Sequence, residues 1–140
     1  MSIPITAVRL GSASDETEES VQYVALIYAD EDAWSGFSQE ERDAAYGKYR
    51  AFGEEARAAG VLAAGNELGS TRDATTVRVR DETLVTDGPY AEVKEALGGF
   101  YILECASMDD ALDWAARIPG AEHGAVEVRP VHVDPEEVQL

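Results

Sequence analysis

Apolar positions fall into two kinds of stretch along the chain. Residues 21–29, Val-Gln-Tyr-Val-Ala-Leu-Ile-Tyr-Ala, are β-branched and aromatic with apolar side chains on both faces, which predicts a central strand. Ser38 followed by Glu41 makes a capping box, in which the serine hydroxyl takes an orphan amide and the glutamate returns to the amide of the serine. Behind it Arg42, Ala45, Tyr46, Tyr49, Phe52, Gly53, Ala56 and Ala59 recur at three- and four-residue steps, and Gly60 supplies the stop. That pattern predicts a long amphipathic helix. Residues 61–64 begin a second strand. Residues 75–80 alternate Thr or Arg with Val, and Asp81-Glu82 turns them into 83–86 as a hairpin. Residues 99–105, containing Phe-Tyr-Ile-Leu, predict a strand with both faces apolar. Ser107 caps a second helix with Asp110 at its third position, Ala111, Leu112, Trp114, Ala115 and Ile118 on its buried side, and Pro119-Gly120 at its end. Residues 125–131 make a last strand.

The order is strand, helix, strand plus hairpin, strand, helix, strand. In an α+β protein this is the ferredoxin-like arrangement, one antiparallel sheet with both helices on one face. The domain spans residues 21–133. Before it, residues 1–20 form a flexible N-terminal arm, polar and acidic from Gly11, in which Ile3 to Leu10 could pair as an edge strand; after it, residues 134–140 form an acidic tail. Tyr23, Tyr28, Phe100 and Tyr101 cannot all point at the helices, because neighbouring strand residues face opposite ways. A buried aromatic hides roughly 150–250 Å², so leaving several on an open face is costly. The expectation is a symmetric homodimer, its two sheets packed face to face around a pocket.

Charge narrows the partners. The 140 residues carry 28 Asp and Glu against 11 Lys and Arg, a formal net charge of -17, and no window clusters the cations. Such a field repels phosphates, which excludes nucleic acid and anionic membrane as expected partners. The longest apolar run is far short of a membrane span and lacks the flanks of a signal peptide, so a soluble, cytoplasmic protein is expected. A lone cysteine, Cys105, forms no internal disulfide and is read as a small apolar strand residue. His123 lies in a Gly-flanked loop and His132 at the end of the last strand, a spacing with no metal-site logic. No metal and no cofactor are expected, and no phosphate-cradling loop, nucleophile elbow or His-Glu-x-x-His is present.

Four separated segments carry a resemblance. Leu26-Ile-Tyr-Ala-Asp-Glu-Asp-Ala-Trp34, Thr86-Asp-Gly-Pro-Tyr-Ala-Glu-Val-Lys-Glu95, Leu97-Gly-Gly-Phe-Tyr101 and Val126-Glu-Val-Arg-Pro130 resemble the DGPF group of the YCII-related family, in the same order and over residues 22–131. Tyr90 stands where that group usually has phenylalanine, which keeps the ring and adds a hydroxyl. The resemblance implies a ferredoxin-like sandwich forming a dimeric α/β barrel, and implies no established reaction. Some relatives have a His and Asp pair suggested as acid–base catalysts; the aspartate matches Asp87, whereas the histidine position on the first long helix falls on Tyr49. Members of the group are often encoded beside sigma factors of the extracytoplasmic-function type, which implies by association an accessory role with a sigma factor as partner.

The candidate site follows from these segments. Asp87 precedes Gly88-Pro89, and Pro89 is pre-set for the first turn of a short helix over 90–94. Its carboxylate has two readings: it accepts amide hydrogen bonds from that turn, which favours the charged form, or it lies in the pocket as a general base or ligand acceptor, which needs a raised pKa. Tyr28, Tyr49, Tyr90, Glu92, Lys94 and Arg129 are the candidate ligand-binding residues, beside plainer roles in the core or in ion pairs. Arg129, on a last strand expected to lie beside the one that carries Glu104, is read as forming an interstrand or cross-dimer salt bridge, or as recognising a ligand carboxylate. Two functions remain: a dimeric module that binds a small molecule or a partner, and an acid–base enzyme on a small organic substrate with Asp87 as base and Tyr49, Lys94 or Arg129 orienting it. The missing helix histidine leaves Asp87 without an obvious proton partner.

Overall fold

The computed structural model describes residues 20–133; the expected edge strand at Ile3 to Leu10, the arm and the acidic tail lie outside the described residues. Strand β1 (Val21–Asp30) leads into a short helix α1 (Glu31–Ser35) and the long helix α2 (Gln39–Ala58). Strand β2 (Leu62–Glu67) is followed by a 3₁₀ turn, Thr71–Asp73, and the hairpin strands β3 (Thr75–Val79) and β4 (Thr83–Asp87). Strand β5 (Glu95–Cys105), helix α3 (Met108–Ala115), a second 3₁₀ turn, Pro119–Glu122, and β6 (Ala125–Pro130) complete the domain. The main sheet has the order β2-β5-β1-β6, antiparallel throughout, while β3 and β4 pair only with each other. With the hairpin set aside as an insertion between β2 and β5, the order is compatible with the ferredoxin-like arrangement.

Alternation along the strands decides which side chains meet the helices. Tyr23, Ala25 and Ile27 of β1 and Leu103 and Cys105 of β5 are buried beneath α2 and α3, together with Phe52, Ala56, Ala111, Trp114 and Ala115. The Phe52 ring lies 5.0 Å from that of Tyr101 and 6.2 Å from that of Trp114. The other face of the sheet carries Val24, Leu26 and Tyr28 of β1 and Phe100 and Ile102 of β5, with β6 placing Arg129 opposite Val24 and Glu127 opposite Leu26. No helix among the described residues packs there. As the alternation argument requires, Tyr23 and Tyr101 face the helices while Tyr28 and Phe100 face away.

Both helix signals operate. The Ser38 hydroxyl accepts from the Glu41 amide at 3.0 Å and the Glu41 carboxylate from the Ser38 amide at 2.8 Å. At the other end of α2, Gly60 takes a φ of +75° and Val61 donates to the Ala56 carbonyl, a glycine stop that a Cβ would strain. Only the second half of the predicted apolar stripe is buried, at Phe52, Gly53 and Ala56; Tyr46 stands edge-on to Trp34 of α1 at 5.5 Å. Leu112, expected on the buried side of α3, is exposed because it lies on the flank that turns away from Ala111 and Ala115. Strand β5 starts at Glu95 rather than Gly99. A bulge at Gly98, where Ile27 pairs with Gly99 and Tyr28 with Leu97, lets the ladder continue through the glycines.

Candidate functional site

The end of β1 and the start of β5 enclose an open cleft of about 370 Å³. Asp30, Glu31 and Asp32 line one side, Val93 and Lys94 the other, and Thr71 closes it from the turn before the hairpin. The acidic triplet is held by local chemistry. Asp30 Oδ1 accepts from the Asp32 amide at 2.9 Å as the N-cap of α1. The Glu31 carboxylate accepts from both the Thr71 amide, at 2.9 Å, and the Thr71 hydroxyl, at 2.7 Å, tethering the base of the hairpin to the end of β1. These two bonds, the hydroxyl's foremost, hold the Glu31 carboxyl below its ordinary value. The side chains of Asp32 and Lys94 make no hydrogen bond or ion pair among the described residues, so the cleft offers one free carboxylate and one free ammonium.

The Glu31 tether has a pH signature. A carboxyl with a depressed folded-state pKa contributes stability that is fully present above its unfolded value, near 4.5, and is lost as pH falls through the folded value. Glu31→Gln should therefore remove part of the acid-side loss below about pH 4.5 and leave the profile at higher pH parallel to that of the parent. Urea midpoints of both proteins from pH 3 to 7 read this directly, and a constant difference between the two curves would show that the tether does not titrate.

The residues singled out in the sequence occupy several places within one chain. Tyr28 lies on the helix-free face and its hydroxyl donates to Glu127 at 3.1 Å. Partial burial first, then that bond and the carboxylate's charge, raise its pKa, and Arg129 opposes the rise. Tyr28, Glu127 and Arg129 thus form one polar cluster beside the apolar centre of the open face. Arg129 does not adjoin Glu104, because β1 lies between β6 and β5; Glu104 instead accepts from the Gln22 amide at 3.2 Å. Tyr49 sits between α2 and the sheet, its hydroxyl accepting from the Gly120 amide, and burial raises its pKa above the ordinary value. It belongs to the packed layer rather than to an open surface.

Asp87 ends β4 opposite Thr75, exposed, and its carboxylate takes no hydrogen bond among the described residues. The turn holds itself by other means: Gly88 donates to the Ala74 carbonyl at 2.7 Å and the Thr76 hydroxyl donates to that of Gly88 at 2.8 Å. Gly88 takes a φ of +107°, a conformation that favours glycine. The helix expected over 90–94 does not form. One turn carries the full cost of helix nucleation, and with Tyr90 74% and Val93 59% exposed there is no burial to offset it. Tyr90 is instead covered by the Arg78 guanidinium, 4.9 Å from the ring centroid, and Glu92 is exposed. Of the candidates, only Lys94 lines the cleft.

The cleft's acidic side was legible only as motif letters. Asp30-Glu-Asp32 directly follows an apolar strand, a signal that charged groups gather at a strand end, but nothing local announces that Thr71 closes the same space forty residues later. Neither histidine lines the cleft, and among the described residues no group of His, Cys, Asp and Glu is arranged to hold a metal ion. No helix among them is long and apolar enough to cross a membrane. In comparisons with known proteins, the model of the YCII-related domain matches residues 21–133. An uncharacterized protein of Rhizobium meliloti (strain 1021) is 41% identical over 112 residues, which cover 78% of this chain and 90% of that protein.

Proposed function

The chain belongs to the YCII-related family, a family of uncharacterised function, and from that premise we propose that it is a homodimeric binding module for a small zwitterionic molecule. The observation that carries this reading is the cleft in which Asp32 and Lys94 stand without partners. An ammonium group of the ligand would meet the carboxylate and an acidic group the lysine, while Glu31 and Asp30 are committed to the backbone and hold the walls. The helix-free face of the sheet, with Val24, Leu26, Phe100 and Ile102 at its centre, supports the dimer: a second copy laid on it would give the apolar layer its cover and close the dimeric barrel.

The alternative, an acid–base enzyme with Asp87 as base, draws less support from the geometry. A base needs a positioned proton partner, and the Asp87 carboxylate takes no hydrogen bond among the described residues while Tyr49 is packed between α2 and the sheet. A thermal-shift panel of amino acids, diamines and dicarboxylates tests the binding reading. A zwitterion present at about 100 times its Kd should stabilise the protein by about 2.7 kcal/mol. Lys94→Met and Asp32→Asn should each abolish the shift, and Asp87→Asn should leave it intact. A shift lost in Asp87→Asn and kept in Lys94→Met would move the site to the hairpin and overturn the assignment.

A further inference from the structure

The β3–β4 hairpin pairs with no other strand among the described residues, and one of its faces stands exposed. Directly opposed residues of an antiparallel ladder share a face. Val77 opposes Val85, Val79 opposes Thr83 and Thr75 opposes Asp87, so these six form one surface, with Asp87 at its base. Val77, Val79 and Val85 are 59%, 65% and 64% exposed. Two strands alone rarely bury enough to be stable, so a hairpin of this kind calls for a further layer.

Charge and area indicate what the layer is. Charged residues make up 28% of the chain, yet this face carries only Asp87. Two copies with a net charge of -17 each can approach closely only where carboxylates are sparse, which describes the hairpin's valines and the centre of the open sheet face. Four strands about 4.8 Å apart over roughly six paired residues give that sheet face a footprint of about 400 Å². A stable partner of ordinary size buries about 800 Å². Side-chain relief narrows the gap without closing it, and the hairpin adds about 150 Å² of the same apolar character.

We infer that the hairpin is a dimerisation arm: its valine face closes on a second copy of this chain, and Asp87 is thereby enclosed where the two copies join. The inference rests on the homodimer proposed above and adds to it that the Asp87 region is incomplete in a single chain. Like-charge repulsion then opposes association, so the dimer should tighten as salt is raised.

Sedimentation equilibrium on the full chain tests both levels separately. The parent protein should be a dimer at micromolar concentration. Val77→Glu/Val85→Glu should weaken it by at least about tenfold, and the milder Val77→Thr/Val85→Thr, which keeps the β-branched shape, by a few-fold. Unchanged circular dichroism shows that either variant still folds, since these side chains are exposed in one chain. Ile102→Glu, on the open sheet face, is the reference for the dimer itself. Dissociation by Ile102→Glu with no effect of either hairpin variant would overturn the arm and leave the dimer standing, and a monomeric parent would overturn both. Hydrogen exchange adds an independent reading. Added protection of residues 75–87 that disappears on dilution supports the arm, whereas protection that is the same in dimer and monomer overturns it.

Discussion

Phe52→Ala should cost about 3–5 kcal/mol of folding stability. Phe52 is 3% exposed and bridges the two halves of the core, with Tyr101 of the sheet on one side and Trp114 of α3 on the other. Removing its ring leaves a void lined by two large aromatics that are themselves fixed. Tyr101 rests on Gly65 so closely that a Cβ there would overlap its ring, and Trp114 carries the Arg117 guanidinium 4.2 Å above it. Neither can collapse inward, so the transfer term and the cavity term both appear in full. In urea the midpoint should fall with the slope unchanged, and the thermal midpoint should drop by roughly 10–20 °C for a domain of this size. A loss under about 1 kcal/mol would mean that the helix layer repacks and that α2 is less firmly seated than its buried face implies.

Gly124→Ala should be nearly as damaging and, unlike Phe52→Ala, should reach the polar cluster on the open face. A Cβ on Gly124 would overlap the Tyr28 carbonyl oxygen and crowd the Ala29 backbone. Backbone cannot swing aside as the end of a side chain can, so β6 would have to draw away from β1 at its first pair, Tyr28 with Ala125. The expected cost is about 3 kcal/mol, at the upper end for overpacking, together with loss of the Tyr28 to Glu127 hydrogen bond. Amide exchange over β6 and the thermal midpoint measure the two parts. Wild-type stability with a normal β1–β6 ladder would show that the turn 120–124 can shift as a unit and that the glycine is dispensable. By contrast, Ala at Gly60 would meet no atom within 4 Å and would be strained only through its positive φ.

Local signals in the chain were legible wherever the responsible chemistry is also local. The Ser38–Glu41 box, the Gly60 stop and the Ser107 cap each involve groups within five residues, and all operate as expected. The alternation of apolar and polar positions likewise separates Tyr23 and Tyr101 from Tyr28 and Phe100, because a strand leaves no other choice. The structure departs from local expectation where a distant element decides. An interstrand pair of Arg129 with Glu104 needs adjoining strands, but sheet order is set by the crossovers and puts β1 between them. The helix over 90–94 has adequate residues and no surface to lie on. Thr71 carries no motif, and its role at Glu31 exists only because the turn before the hairpin folds back onto the end of β1. The candidate site therefore showed itself in part, through Lys94 and the acidic triplet, while its closure is a property of the tertiary arrangement.

The sheet order also sets the timetable of assembly. β1 is the first strand of the domain to leave the ribosome, yet its neighbours are β5 and β6, and its pairing with β6 joins residues about a hundred apart. At roughly 5–20 residues per second, some 5–20 s pass between the appearance of β1 and that of its second partner. For most of that interval, until β5 appears, Val-Ala-Leu-Ile-Tyr has no native strand to lie against, and only α2, formed from contacts within itself, can shield one side of it. Refolding in the test tube should show the same dependence as a slow, millisecond-to-second main phase typical of nonlocal pairing. Chains with a net charge of -17 also repel one another, which opposes association of such unpaired strands during that wait.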